Sequence, residues 1–319
     1  MKRTLYAVTA LLALLMLSAS GCAGVKSART SSAEAAEAAA GGRPPAAAEV
    51  RLVVSRDFGG RLLTDITVPY ARGMTVMRLL AEHAKVDTGY GGQFVSGIDG
   101  LRSSFGSVAG AQAADWFYWV DGVMADVGAE AWKLHGGETV WWDYHRWAGA
   151  MFIPMSLDAF PAPFTGKALA VVSDFSGGDV VQRWASGVGL TLGQAQTLAQ
   201  PPAAAGLVLA TGAQAEATSW LRDILARGPA QGVFAKTQAG QVLALNPDGS
   251  KATPVAAVAF ATRGPQTPEE PLLIVLGDTP QDISDLLAAL QPSATAHRVA
   301  VALPVGAPGL VALPGAGAP

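Results

Sequence analysis

Asp143 and His145 are the pair of side chains whose types and spacing come closest to a reactive site. They lie two residues apart in a segment with strand-like alternation, so both are expected on one face. A carboxylate beside an imidazole can orient a general base or supply half of a metal site. No third ligand or nucleophile is evident, and a single cysteine excludes a thiolate zinc site. We interpret the pair as polar residues at the rim of an aromatic surface, predict no catalytic or metal-binding residues, and expect a protein that is not an enzyme.

Six of the eight tryptophans fall between positions 116 and 147. Within 139–147, alternation places Trp142 on one strand face and Trp141 and Trp147 on the other. A domain of about 100 residues has difficulty burying both faces, so some rings are expected to contact a planar or apolar ligand or a partner, or to be covered by a second domain. Both alternatives stay open. On aromatic exposure alone, the ligand-binding candidates are Trp116, Trp119, Trp141 and Trp147.

The amino terminus has the pattern of an export signal. Lys2 and Arg3 precede an apolar run from Leu5 to Leu17, which is too short to span a bilayer. The run is followed by small residues at 19–21 and then by Cys22, an arrangement that resembles the lipobox of bacterial lipoproteins. The resemblance implies that Cys22 is lipidated and that the protein is extracytoplasmic and lipid-anchored to the bacterial membrane. The alternative is an ordinary secretory peptide with an incidental cysteine.

Composition limits the function classes. With 50% hydrophobic and 15% charged residues, the chain is too apolar to be wholly disordered. The formal net charge is −3 and no basic stripe is present, so we expect no nucleic-acid partner. A length of 319 residues favours two domains with tails.

The chain divides into six segments by composition and hydrophobic pattern. Together they predict an α+β protein, with a β-grasp-like N-terminal domain followed by a mixed α/β domain. The predicted segments are a lipoprotein signal peptide at 1–22, a disordered linker at 23–48, the first domain at 49–148, a proline-rich linker at 149–164 that packs across both domains, the second domain at 165–304, and a flexible tail at 305–319.

Hydrophobic alternation predicts a hairpin at the start of the first domain, and Thr75 is placed to cap a single helix after it. The further strands predicted here are 93–98, 116–120, 123–127 and 139–147. In the second domain the predicted strands are 168–172, 207–210, 233–236, 241–245, 255–261, 272–276 and 299–303, and the predicted helices are 179–186, 214–227 and 280–290. The strand-to-helix turn at 174–178 offers backbone N–H groups to an anion, but this is typical of any such turn.

A family resemblance covers the first domain. It is carried by Tyr90-Gly-Gly-Gln-Phe-Val-Ser-Gly-Ile-Asp-Gly-Leu101, Asp115-Trp-Phe-Tyr-Trp-Val-Asp-Gly122, Asp126-Val-Gly-Ala129 and Gly137-Glu-Thr-Val-Trp-Trp-Asp-Tyr-His145. These motifs resemble the transcobalamin C-terminal-like domain, which is found in bacterial lipoproteins and in the animal cobalamin carriers. By position, the resemblance implies that Gln93, Phe94, Val95 and Ser96 bind ligand. The helical domain that forms the other half of the cobalamin site in the carriers has no counterpart in this sequence.

The resemblance implies capture of a small nutrient for an energy-coupling-type transporter, with cobalamin or a related corrinoid as a transported ligand rather than a resident cofactor. We therefore expect a membrane-anchored binding lipoprotein for vitamin uptake. The second hypothesis is a protein–protein interaction module of the cell envelope with no small-molecule ligand. The third is a hydrolase built on Asp143 and His145.

Overall fold

The computed structural model describes residues 48–92, 94–104, 113–146, 150–174 and 177–315. This part of the chain begins with a β-hairpin, which is followed by one helix. Strands β1 (Glu49–Arg56) and β2 (Arg61–Pro69) pair antiparallel. Helix α1 (Val76–His83) follows. The Thr75 hydroxyl accepts a hydrogen bond from the Arg78 amide at 3.1 Å, so the predicted N-cap is confirmed.

Two sheets complete the first half of the structure. Their further strands are β3 (Val86–Gly89), β4 (Phe94–Ile98), β5 (Leu101–Arg102), β6 (Ala114–Val120), β7 (Val123–Met124) and β8 (Thr139–Arg146). Sheet one has the order β2-β1-β8-β6-β7, and β3-β4-β5 form a small separate sheet. The first and last strands, β1 and β8, pair in parallel, which is the β-grasp arrangement that the sequence predicts. Strand β7 ends three residues earlier than predicted, since its strand pairing with β6 ends at Met124.

The second half is built on a seven-stranded sheet, sheet two, with the order β10-β9-β11-β16-β15-β17-β18. Its strands are β9 (Ala168–Ser173), β10 (Thr191–Gln196), β11 (Gly206–Thr211), β15 (Ala257–Arg263), β16 (Pro271–Gly277), β17 (Ala300–Leu303) and β18 (Val311–Leu313). A small sheet holds β12 (Ala235–Gln238), β13 (Gln241–Leu245) and β14 (Ala252–Pro254). The helices are α2 (Gly178–Gly187), α3 (Gly212–Ala217), α4 (Ser219–Ala226), α5 (Pro280–Ala289) and α6 (Pro292–Thr295). Parallel and antiparallel pairs mix in sheet two, so the predicted α+β class is confirmed.

Several further local predictions differ from the structure. The predicted helix 214–227 is two helices, since Thr218 has extended backbone angles and its hydroxyl donates to the Gln214 carbonyl. Strands β3, β5, β10 and β14 and helix α6 were not predicted. The segment 305–319, expected as a flexible tail, contains β18, which pairs with β17. Among the helices of the described residues, none is long and apolar enough to cross a membrane.

Alternation in the central strands of sheet two divides the hydrophobic core into two layers. In β16, Leu273 and Val275 face a cluster that includes buried residues of α2 and α5. The neighbouring Ile274 and Leu276 face a cluster that includes Trp119 and Trp141 of sheet one. The two halves therefore share one core on that side. The proline-rich segment contributes to both clusters and is buried at several positions: Ile153, Met155, Leu157, Phe160 and Phe164.

Gly59 is a point where the two halves approach closely. It has a φ of +80°, and a methyl group on it would overlap with the carbonyl oxygen of His297. Gly73 has nearly the same φ, +82°, with open space around the corresponding position. We expect Gly73→Ala to lower the free energy of unfolding by about 1 kcal/mol through backbone strain alone. Gly59→Ala is expected to lower it by about 3 kcal/mol, because the clash adds to the same strain. Urea unfolding of both variants measures the difference, and equal losses would contradict the close approach.

Candidate functional site

The two faces of β8 meet different surroundings. Trp142 faces α1 within the first half, and Trp141 faces sheet two. Trp141 and Trp119 are 0% and 1% exposed, and their rings lie 4.9 Å apart between centroids with their planes inclined by 31°. The Trp119 indole N–H donates to the Ile153 carbonyl at 2.9 Å, and that of Trp141 to the Ser55 hydroxyl at 2.7 Å. Of the two alternatives that the sequence left open, coverage by the second half holds for these two rings.

Asp143 is the centre of a buried hydrogen-bond network. Its side chain is fully buried, and it accepts hydrogen bonds from the Ser55 hydroxyl (2.6 Å), the Phe58 amide (2.9 Å), the Gly59 amide (3.0 Å) and His145 Nδ1 (2.8 Å). Four donors on one carboxylate satisfy its lone pairs in the absence of water. The interpretation of Asp143 and His145 as residues at an exposed rim is wrong, because both are buried, with the β1–β2 turn and β6 packed against them.

His145 is held by ring contacts on both faces. Its imidazole stacks on Phe58 at 4.3 Å and on Phe117 at 4.5 Å between centroids. Its Nε2 atom is buried and has no hydrogen-bond partner in the described part of the structure. Ser55 contacts the carboxylate rather than this nitrogen, so the three side chains do not form the nucleophile–base contact of a hydrolase. The described residues also contain no group of three His, Cys, Asp or Glu side chains arranged to hold a metal ion.

A cleft of about 250 Å³ lies between β4, β6 and the segment that follows β7. The aromatic side chains in its wall are Phe94, Trp116, Phe117, Tyr118 and Trp142, and the remaining wall is formed by Val95, Asp115, Met124, Ala125, Val127, Gly128 and Ala129. Aromatic walls with few polar groups are typical of pockets for small organic ligands.

The segment 125–129, which we call the rim segment, is tied to β6 by two hydrogen bonds. The Tyr118 hydroxyl donates to the Val127 carbonyl at 2.6 Å, and the Ala125 amide donates to the Tyr118 carbonyl at 3.2 Å. Burial, together with the nearby Asp126 carboxylate, raises the pKa of the Tyr118 hydroxyl well above its usual range. Tyr118 therefore remains a neutral donor at any physiological pH.

Asp115 is the one ionisable carboxyl group in the wall of the cleft as described. Its carboxylate accepts a hydrogen bond from the Trp116 amide at 2.7 Å. Burial nevertheless raises the pKa of Asp115, because desolvation outweighs this bond and the others that it accepts. Since no Lys or Arg belongs to the described wall, the cleft has a weakly acidic character.

The residues predicted for ligand binding lie in three places. Phe94, Val95 and Trp116 line the cleft. Ser96, Trp119 and Trp141 do not: Ser96 continues β4 beyond the wall, and the two indoles lie in the core between the sheets. Gln93, Trp147 and Cys22 lie outside the described residues.

Sequence reasoning missed two parts of the cleft. Tyr118 and Trp142, which stack at 4.7 Å between centroids, were not among the residues predicted to bind ligand. The rim segment was predicted to continue a strand. The available signal was Asp126-Val-Gly-Ala129 itself, because the glycine and small residues favour a loop beside β6.

A second cleft, of about 240 Å³, lies between β9, β10 and the start of α2. It includes Gly177 and Gly178 of the predicted strand-to-helix turn, together with Ser173 and Gln182. The described residues show no charged side chain in its wall, so this cleft has less definite chemistry than the first.

Comparison with known proteins found a family match within the first half of the structure. Residues 73–146 match a family described as a domain of unknown function (DUF4430). The match begins at Gly73, two residues before the N-cap Thr75, and ends at Arg146, the last residue of β8. It therefore includes all the residues that line the first cleft. No curated protein matches the chain.

Proposed function

We propose that this protein is an extracytoplasmic binding lipoprotein, anchored through Cys22, that captures a small nutrient for an uptake system. The cleft of the first half is the proposed binding site. Cobalamin or another corrinoid is the first candidate ligand, and an energy-coupling-type transporter is the proposed acceptor of the captured nutrient.

One observation carries the proposal. Phe94 and Val95 follow from the transcobalamin-like motifs, whereas Trp116 follows from aromatic density alone, and all three line one cleft. Two independent lines of sequence reasoning thus converge on the same concave, aromatic surface. The segment that matches a known family contains this surface as well.

The size of the cleft limits how it is used. About 250 Å³ lies below the roughly 300–1,000 Å³ of pockets that enclose a drug-sized ligand. A corrinoid would therefore place one edge or one side group in the cleft, whereas a smaller planar nutrient would fit entirely. The rim segment forms one side of the cleft.

Titration of the mature protein with cobalamin and with smaller planar vitamins tests the proposal. We expect at least one of them to quench tryptophan fluorescence and to raise the unfolding temperature, since a ligand that binds only the folded state stabilises it. Phe94→Ala is expected to weaken that binding about tenfold, because it removes a large aromatic contact from the wall.

Thr88→Ala is the matched control. Thr88 is exposed on β3 directly opposite Val95, and it does not line the cleft. Its substitution should leave affinity unchanged. The absence of any response in the wild-type protein, or equal weakening by both variants, would refute ligand capture at this cleft.

A protein–protein interaction module is the second candidate function. Met151 and Phe152 are adjacent and about half exposed, and Leu62 and Leu63 are similarly exposed on the edge strand β2. Exposed large apolar side chains of this kind favour docking of another protein. Recovery of one envelope protein by crosslinking through position 152, with no response to any ligand, would favour this function.

A further inference from the structure

Among the buried indole N–H groups of the described residues, one has no hydrogen-bond acceptor. Five of them donate to acceptors at 2.7–3.0 Å: those of Trp116, Trp119, Trp141, Trp184 and Trp220. The Nε1 atom of Trp142 is buried and has no partner among the described residues. A buried donor without an acceptor destabilises the fold. The unpaired group lies on the residue whose ring forms part of the cleft wall.

The position of Trp142 suggests where its acceptor comes from. Tyr118 covers one face of the indole, at 4.7 Å and with the rings inclined by 26°. The same tyrosine holds the rim segment through Val127. Nε1 is closed to solvent, and the ring that carries it lines the cleft.

The charge of the cleft restricts the acceptor to a neutral group. Asp115 is part of the wall, and its raised pKa shows that burial already disfavours its own negative charge. A ligand carboxylate or phosphate would add a second anion where the described wall offers no Lys or Arg. A carbonyl oxygen or an unprotonated ring nitrogen accepts a hydrogen bond without this repulsion.

We propose that the cleft binds an uncharged planar group bearing a carboxamide or similar neutral acceptor, and that the indole N–H of Trp142 donates to this acceptor. The inference rests on the proposed ligand-capture function and specifies its chemistry. The N–H left unpaired in the free protein is satisfied in the complex, which favours ligands with an acceptor over apolar ligands of equal size.

Three probes of similar size test the proposal in the mature protein: nicotinamide, nicotinate and toluene. They are flat rings with a neutral acceptor, an anionic acceptor and no acceptor. We expect nicotinamide to bind about tenfold more tightly than either of the others. The ¹⁵N–¹H resonance of the Trp142 indole, assigned by its proximity to the Tyr118 ring, should move downfield with nicotinamide and not with toluene. This measurement needs no variant.

Trp142→Phe removes the donor and keeps an aromatic ring in the wall. It should weaken nicotinamide binding about fivefold to tenfold and leave toluene binding unchanged. Trp184→Phe is the matched control, because the N–H of Trp184 donates to Leu290 far from the cleft wall, and it should alter neither.

The outcomes separate this inference from the function on which it rests. If nicotinamide binds without moving the Trp142 resonance, or if Trp142→Phe weakens nicotinamide and toluene equally, the indole donor has no role although ligand capture stands. If no probe and no vitamin binds the wild-type protein, both proposals fail. Tighter binding of nicotinate than of nicotinamide would overturn the preference for a neutral group.

Discussion

Asp143→Ala is expected to lower the free energy of unfolding by about 5 kcal/mol, or to prevent folding, because it leaves four donors without their acceptor. Two of these donors are backbone amides of the β1–β2 turn, and one is the ring nitrogen of His145. Three of them cannot turn to water, since Ser55, Phe58 and His145 are 0%, 5% and 1% exposed. Urea unfolding of the mature protein, followed by circular dichroism, measures the loss.

Asp174→Ala provides a comparison with a simpler aspartate. Asp174 is exposed, and its Oδ1 accepts a hydrogen bond from the Leu198 amide at 2.9 Å. Its removal should cost about 1 kcal/mol, the typical contribution of one hydrogen bond. Asp143→Asn should fall between the two, because the amide keeps one acceptor oxygen and the shape of the side chain. Similar losses for Asp143→Ala and Asp174→Ala would show that the buried network does not stabilise the fold.

The alternation in β8 predicts which of its side chains share a face, but not what covers each face. Trp141, Asp143 and His145 lie together as expected. Their burial depends on partners distant in the sequence: Ser55 is 88 residues from Asp143, and Phe58 connects His145 to Phe234 of the second half. Such contacts have no local pattern, so sequence reasoning placed a buried network at a surface.

Some residues of the first cleft could be predicted from the sequence, and others could not. Phe94 and Val95 could be nominated because the motif around them resembles a known family. Alternation placed Trp142 on the strand face opposite Trp141, and only the three-dimensional arrangement shows that this face both packs in the core and borders a cleft. Strand β10 was missed because Thr191–Gln196 is a mostly exposed edge strand, whose small and polar residues lack the apolar alternation that marks buried strands.

Asp158 is expected to make the stability of this protein fall as pH rises. Its carboxyl group is 5% exposed and lies in the segment that packs across both halves. The Ser156 hydroxyl donates to Oδ1, and Oδ2 has no partner among the described residues. Burial raises the pKa of Asp158 from 3.8 to about 7; the Asp121 carboxylate adds to this increase, whereas Ser156 and Arg51 oppose it.

The sign follows from proton binding. Between pH 4 and 7 the folded protein keeps a proton on Asp158 that the unfolded chain releases, so the proton stabilises the fold at low pH and is lost as pH rises through 7. A shift of about three pKa units corresponds to about 4 kcal/mol. Relative to Asp158→Asn, which cannot ionise, the wild-type protein should therefore become about 4 kcal/mol less stable between pH 4 and pH 8.

Urea unfolding of both proteins across this pH range measures the change, and the difference between them removes the contribution of all other titrating groups. Asp285→Asn, on the exposed surface of α5, is the control and should follow the wild-type curve with a constant offset. The Asp158→Asn curve should instead meet the wild-type curve near pH 4 and separate from it steadily towards pH 7. Parallel curves for wild type and Asp158→Asn would mean that Asp158 is ionised in the folded protein throughout, and that water or Arg51 compensates its charge.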